Sequence, residues 1–137
     1  MVFLRQEDET MADSALQFRD DDFDGALPPE GYYAAVIERS RFHTSRQGNT
    51  TLQVVCEIEG VDDRVADYFV LSGASERGRT VSRRRLIELY HACGFSPKTG
   101  DPIRPEDLCG CRIEVQLGHE TYEGKQRLRV LGYRVLS

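Results

Sequence analysis

Within GYYAAVIERSRFHTSRQGNTTLQVVCEIEG (Gly31 to Gly60), Arg39, Arg41 and His43 recur at every second position, and Arg46 follows at a turn. On a strand, side chains spaced by two stand on one face. A row of guanidiniums presents permanently charged planar forks that fit phosphate oxygens and flat faces that stack on bases. A second such row lies near the end of the chain, where Lys125, Arg127 and Arg129 alternate with Gln126, Leu128 and Val130. The chemistry these rows suggest is the binding of a polyanion. Apart from Lys98 and Lys125 every basic residue is arginine, a preference that codon bias in a GC-rich genome also produces.

Bond-making chemistry finds less support. His43, His91 and His119 fall on a strand, a helix and a strand end, with no spacing that pairs them with a nucleophile. SGASERG contains glycines but lacks the lysine of a phosphate-binding loop. The four cysteines, Cys56, Cys93, Cys109 and Cys111, form no CxxC pair, and the histidines complete no ligand set around them. They read as reduced, mostly buried thiols, with Cys109-Gly110-Cys111 as a tight turn entering a strand. The expectation is a protein that is not an enzyme and needs no metal or cofactor.

The bulk numbers set the frame. A chain of 137 residues suits one domain. No apolar run approaches the roughly 18 residues that span a bilayer, and MVFLRQEDET turns charged too early for a signal peptide. A cytoplasmic protein without membrane contact is expected. The net charge of −5 is unevenly placed: residues 1–30 carry nine acids against Arg5 and Arg19, and the remainder is slightly basic. Residues 1–26 read as an acidic, flexible arm, and residues 27–137 as the folded domain. The arm has three readings: a competitor lying in the basic groove, a presenter of Phe18 and Phe23 to a replication or recombination protein, or a solubilising tail.

The elements that must position the cations follow from periodicity. After the ALPPEG punctuation, strand one covers Tyr32 to Thr44, long enough to require a bend or bulge that exchanges its faces. Strand two alternates cleanly, with Leu52, Val54, Cys56 and Ile58 on one face and Thr51, Gln53, Val55 and Glu57 on the other. Strand three spans Arg64 to Leu71. The period then becomes helical, with Leu86, Ile87, Tyr90 and Cys93 on one side and Gly94 as a left-handed stop. A loop with one helical turn at Pro105 to Leu108 leads to strand four, Arg112 to Gly118, with Ile113, Val115 and Leu117 inward. HETYEGK turns the chain around Glu123-Gly124 into strand five, Gln126 to Val135. This β-β-β-α-β-β order makes the chain mainly β and favours a five-stranded OB-fold Greek-key barrel, although other five-stranded arrangements stay open.

In such a barrel a nucleic acid lies on strands two and three between the one-two and four-five loops. The candidate binding residues are therefore Arg39, Arg41, His43, Arg46, Gln53, Tyr68, Tyr122, Lys125, Arg127 and Arg129. Tyr68 and Tyr122 are candidate stacking platforms; Tyr68 lies between Asp67 and Phe69, so the outward parity of strand three stays open. Phe42 is expected in the core. Arg83-Arg84-Arg85 point about 100° apart on a helix and cannot form one flat contact. An incomplete barrel or exposed edge would favour a homo-oligomer.

LPPEGYYAAVIERSRFHTSRQGNTTLQVVCEI, VADYFVL, RRRLIELYHACGF and ETYEGKQRLRVLGY resemble, in that order, a phage and prophage family catalogued as a domain of unknown function and treated as OB-fold, single-stranded-DNA-binding-like proteins. The resemblance implies a replication or recombination accessory protein that coats single strands, and it transfers no residue-level site. One departure stands out: bacterial single-strand binders carry an acidic tail at the C-terminus, whereas this chain ends LGYRVLS. The expectation is sequence-tolerant binding of single-stranded DNA. The alternative is a protein-protein interaction module on the same barrel without nucleic-acid binding.

Overall fold

Five strands and one long helix follow these periodicities: β1 (Gly31–Thr44), β2 (Thr50–Ile58), β3 (Asp63–Val70), α1 (Glu76–Ala92), β4 (Arg112–Tyr122) and β5 (Lys125–Arg134). The computed structural model describes residues 27–73 and 75–137, so the arm expected over residues 1–26 lies outside the described residues. All neighbouring strands are antiparallel, in the order β3-β2-β1-β4-β5. β4 returns to pair with β1, which gives the first four strands the spatial order of a Greek key. The helix sits between the third and fourth strands, as its period required.

One extra residue decides which way the cations of β1 point. Ile37 pairs with Cys56 and Arg39 with Val55, leaving Glu38 unpartnered as a bulge. Before it, Ala35 and Ile37 are buried; after it, the inward position falls to Ser40. Unbroken alternation from Ala35 and Ile37 would turn Arg39, Arg41 and His43 into the core. The bulge carries them outside instead. β5 uses the same device at Leu131, which is skipped between the Leu117–Val130 and Gln116–Gly132 pairs and lets both Val130 and Tyr133 face inward.

The core is built from the expected faces. Leu52, Val54, Cys56 and Ile58 of β2 and Ile113, Val115 and Leu117 of β4 are all buried, joined by Phe69, Leu89 and Leu108. On α1 the buried stripe is Leu86, Leu89 and Tyr90; Ile87, expected inward, is 47% exposed because it lies one 100° step off that stripe. Ser75 caps the helix start by accepting the amide of Gly78 at 3.1 Å. At the other end Gly94 takes φ +90°. There Phe95 N donates to Tyr90 O at 2.9 Å, Gly94 N donates to His91 O at 3.0 Å, and the Tyr90 and Phe95 rings meet at 5.9 Å. This is a Schellman stop with its hydrophobic contact.

Three further expectations need correction. Phe42 shares the inward parity of Leu52 but is 45% exposed, because it lies at the strand end beyond the packed interior. β4 continues to Tyr122, so the hairpin loop shrinks to Glu123 and Gly124, both at positive φ (51° and 79°), as a two-residue type I′ connection demands. Of the four thiols only Cys56 is fully buried; Cys93 and Cys111 are half-buried and Cys109 is exposed. No helix among the described residues is long and apolar enough to cross a membrane.

The strand ladder stays open between its two edges, β3 and β5, which share no backbone pairing among the described residues. Side chains bridge them instead. Asp67, on the inward face of β3, accepts a hydrogen bond from Tyr133 Oη of β5 at 2.6 Å and forms an ion pair with Arg85 of α1. Arg85 lies 5.0 Å over the Phe69 ring, and Phe69 and Tyr133 are 6.4 Å apart. Further along the β3 edge, Ser82 Oγ accepts the Val70 amide at 3.0 Å, so α1 covers that end.

The buried thiol of Cys56 is pushed up to about 12, first by loss of solvent and second by the nearby Asp67 charge. A raised folded-state value gives stability that is complete below the unfolded value of 9.0 and is lost as pH climbs towards 12. Burial and Asp67 likewise raise Tyr133 well above the usual phenol range, in the same direction. Urea unfolding at pH 8, 10 and 11 is expected to show stability falling across that window, each of the two groups contributing at most about 1.4 kcal/mol per pH unit. Cys56→Ala should flatten the fall; an equally steep fall in that variant would remove Cys56 as its source.

Candidate nucleic-acid interface

The outer face of β1, β2 and β3 carries one continuous row. Arg41 is in register with Gln53, and Gln53 with Tyr68. Arg41 Nε donates to Gln53 Oε1 at 3.4 Å, and Gln53 Nε2 donates to Tyr68 Oη at 3.2 Å. The flanking rows are His43–Thr51–Val70 and Arg39–Val55–Ala66. Tyr68 therefore faces outward, 54% exposed, because Val65, Asp67 and Phe69 take the other parity. The cations stand on β1, the amide on β2 and the aromatic ring on β3. Val55 is buried within this outer face and provides an apolar floor.

Beyond Tyr68 the surface drops into a groove of about 790 Å³ between β3 and β5. Arg64, Ala66 and Tyr68 line one wall, Arg127, Arg129 and Leu131 the other, and Arg85 and Val81 of α1 also border it. The open ladder creates this groove. Arg127 and Arg129 occupy the outward parity of β5, opposite Glu120 and Gly118 of β4. The Tyr122 ring lies 4.0 Å from the Arg127 guanidinium, a cation–π contact on the groove wall.

Charge along this path is partly neutralised. Arg127 Nε is 2.5 Å from Glu120 Oε2, Arg64 Nε is 2.6 Å from Glu38 Oε1, and Arg85 is paired with Asp67. The hydrogen bond from Arg64 holds the Glu38 carboxyl below its usual range, against an opposing loss of solvent. Arg39, Arg41, Arg46, Lys125 and Arg129 form no ion pair with any described residue. These exposed cations can exchange counterions without first breaking an internal bridge.

The ten residues singled out by sequence fall into three groups. Arg39, Arg41, His43, Gln53 and Tyr68 share the outer face of the first three strands. Arg127 and Arg129 line the groove, with Tyr122 stacked on the former. Lys125, paired with Tyr122 at the hairpin, and Arg46, on the β1–β2 turn, are both exposed. Sequence reading missed Arg64 and Glu120. Arg64 had a usable signal, since it lies four residues before Tyr68 and shares its parity. Glu120 had none, because its partner is fixed by the register of the β4–β5 hairpin. The arginine triplet on α1 splits as expected: Arg85 turns inward to Asp67, Arg83 donates to Leu71 O at 3.3 Å, and Arg84 is exposed.

Among the described residues no three His, Cys, Asp or Glu side chains are grouped so as to hold a metal ion. No protein-family model matches the chain, and no curated protein matches it.

Proposed function

We propose that this chain binds single-stranded DNA with little sequence preference, on an OB-type barrel whose remaining gap is bridged by Asp67, Tyr133 and Arg85. The observation that carries the reading is the row Arg41–Gln53–Tyr68, flanked by Arg39 and His43 and leading into a groove with Arg127 and Arg129 on its far wall. Cations displace counterions from a phosphate backbone, and an exposed tyrosine ring stacks an unpaired base at about 1–3 kcal/mol whatever its identity. A duplex keeps its base faces stacked inside and cannot use such a ring. Gln53, the one amide in the row, already commits one acceptor site and one N–H to its two neighbours, which halves its capacity for reading base edges. The resemblance to phage single-strand binders points the same way and suggests a replication or recombination accessory role in the cytoplasm.

The expected result is anisotropy of a fluorescent oligo-dT rising on titration at low salt, with a duplex of equal length binding more weakly. With three to five phosphates engaged, the log–log salt slope should be roughly −2 to −3.5, at about 0.7 per phosphate for a single strand. No oligo-dT binding at low salt would reject the proposal. The open stretches of the β3 and β5 edges favour the second reading, a barrel that takes a polypeptide instead.

A further inference from the structure

The two strand edges that face each other across the groove are not equivalent. In β3 the residues whose backbone turns away from β2 are Arg64, Ala66, Tyr68 and Val70, and three of their amides are already taken. Arg64 N donates to Asp63 Oδ1 at 2.8 Å, Tyr68 N to Asp67 Oδ1 at 2.8 Å, and Val70 N to Ser82 Oγ at 3.0 Å. An edge whose donors are held by nearby side chains is a poor template for another strand.

β5 has no such caps. In a two-residue hairpin the pair flanking the loop, here Tyr122 and Lys125, is hydrogen-bonded, and bonded and non-bonded pairs then alternate. Lys125, Arg127 and Arg129 therefore direct their backbone groups to β4, and Gln126 and Leu128 turn theirs to the groove. Neither of those two amides has an acceptor among the described residues. The side chains beside this edge have two characters. On the outer face Lys125, Arg127 and Arg129 stand at every second position, and Lys125 and Arg129 form no ion pair with any described residue. On the other side the half-buried Leu128 lines the groove together with Val81 of α1, which is 49% exposed.

These features select the occupant. A second copy of this chain pairing through β5 would set the two cationic rows side by side, and like charges on adjacent strands repel. Pairing β5 with the β3 of another copy would meet the capped amides. β3 and β5 run in the same direction, because every step from β3 through β2, β1 and β4 to β5 is antiparallel. A single strand antiparallel to both therefore suits the gap. We propose that the β5 edge accepts an extended acidic segment of another protein as a sixth strand, antiparallel to β5. Its carboxylates lie opposite Arg127 and Arg129, and its large apolar side chains lie opposite Gln126 and Leu128. The amides of those apolar residues pair with Gln126 and Leu128, since opposed residues of a bonded antiparallel pair exchange both hydrogen bonds. The site goes beyond the single-strand reading and does not depend on it.

Titrating the full-length chain into the fluorescein-labelled peptide DVDFDVD, with no nucleic acid present, tests the site. Anisotropy should rise and saturate, and the lysine counterpart KVKFKVK should bind at least about tenfold more weakly. N-methylation of the valines and the phenylalanine should weaken binding by about tenfold or more, whereas N-methylation of the internal aspartates should change it by less than about twofold. Saturation with peptide should slow hydrogen exchange several-fold at the amides of Gln126 and Leu128 and leave Arg64 and Tyr68 unchanged. Arg129→Glu should weaken the peptide by roughly tenfold. No saturable binding, equal binding by the two methylated forms, or protection on β3 would overturn the proposal. Protection of Gln126 and Leu128 that grows with chain concentration in the absence of peptide would also overturn it, and would assign the edge to a second copy. Oligo-dT is titrated separately, and its failure to bind would reject only the single-strand reading.

Discussion

Replacing Asp67 with alanine is expected to destabilise the fold by about 2–4 kcal/mol, somewhat less than the roughly 3–5 kcal/mol that breaking a fully buried ion pair from one side costs. Its carboxylate, with a side chain only 14% exposed, serves three elements: it pairs with Arg85 of α1, accepts from Tyr133 of β5 and belongs to β3. No backbone ladder joins β3 to β5, so this group replaces a missing set of strand hydrogen bonds. Alanine leaves the phenol of the buried Tyr133 without its acceptor and strands a guanidinium that is itself only 29% exposed. That partial exposure keeps the expected cost below the top of the range for buried pairs. Urea titration should show the change in midpoint, and the thermal midpoint should fall by roughly 8–20 °C for a folded region of this size. Asp67→Asn keeps the shape and should cost less; Tyr133→Phe removes one hydrogen bond and should cost about 1 kcal/mol. A loss under about 0.5 kcal/mol in Asp67→Ala would mean the two edges do not depend on this bridge.

The second large effect is on binding, and its two components separate. Tyr68→Ala should weaken oligo-dT binding by about tenfold with no change in salt slope, because a stacking platform carries no counterion exchange. Changing Arg39, Arg41 and Arg129 together to alanine should flatten the slope by roughly 2, at about 0.7 per lost phosphate contact. All four side chains are exposed, so thermal unfolding should move little in either variant. The distinguishing measurement is affinity at three salt concentrations for each chain. A slope that stays fixed in the triple variant would remove these arginines from the path of the strand, even if the affinity fell.

Several features of this arrangement were legible because they depend on local pattern alone. The alternation of Leu52, Val54, Cys56 and Ile58 names a core face without knowledge of any neighbour. Gly94 after a helical stripe, and Glu123-Gly124 between two alternating runs, specify their turns through backbone sterics. The outward facing of Tyr68, a candidate from the sequence, was not legible, since its strand mixes a charge into the inward parity. Only the partners of Asp67, which come from α1 and β5, explain why an aspartate occupies that face. The exposure of Phe42 and Ile87 was hidden for a related reason: parity and helical spacing give a direction, but not how far the packed interior extends along it.

By itself the sequence determined the kinds of element, their order and the parity of most side chains, because these follow from the two- and 3.6-residue repeats of the backbone. It also carried the charge asymmetry between the acidic first residues and the basic remainder. Tertiary structure alone decided that β4 returns to β1, that β3 and β5 stop short of pairing, and that a groove with arginines on both walls opens there. Those outcomes depend on strand register and on side chains distant in sequence, such as Asp67 and Tyr133, 66 residues apart. No local period encodes them, because they are settled only when non-local surfaces compete to be buried together.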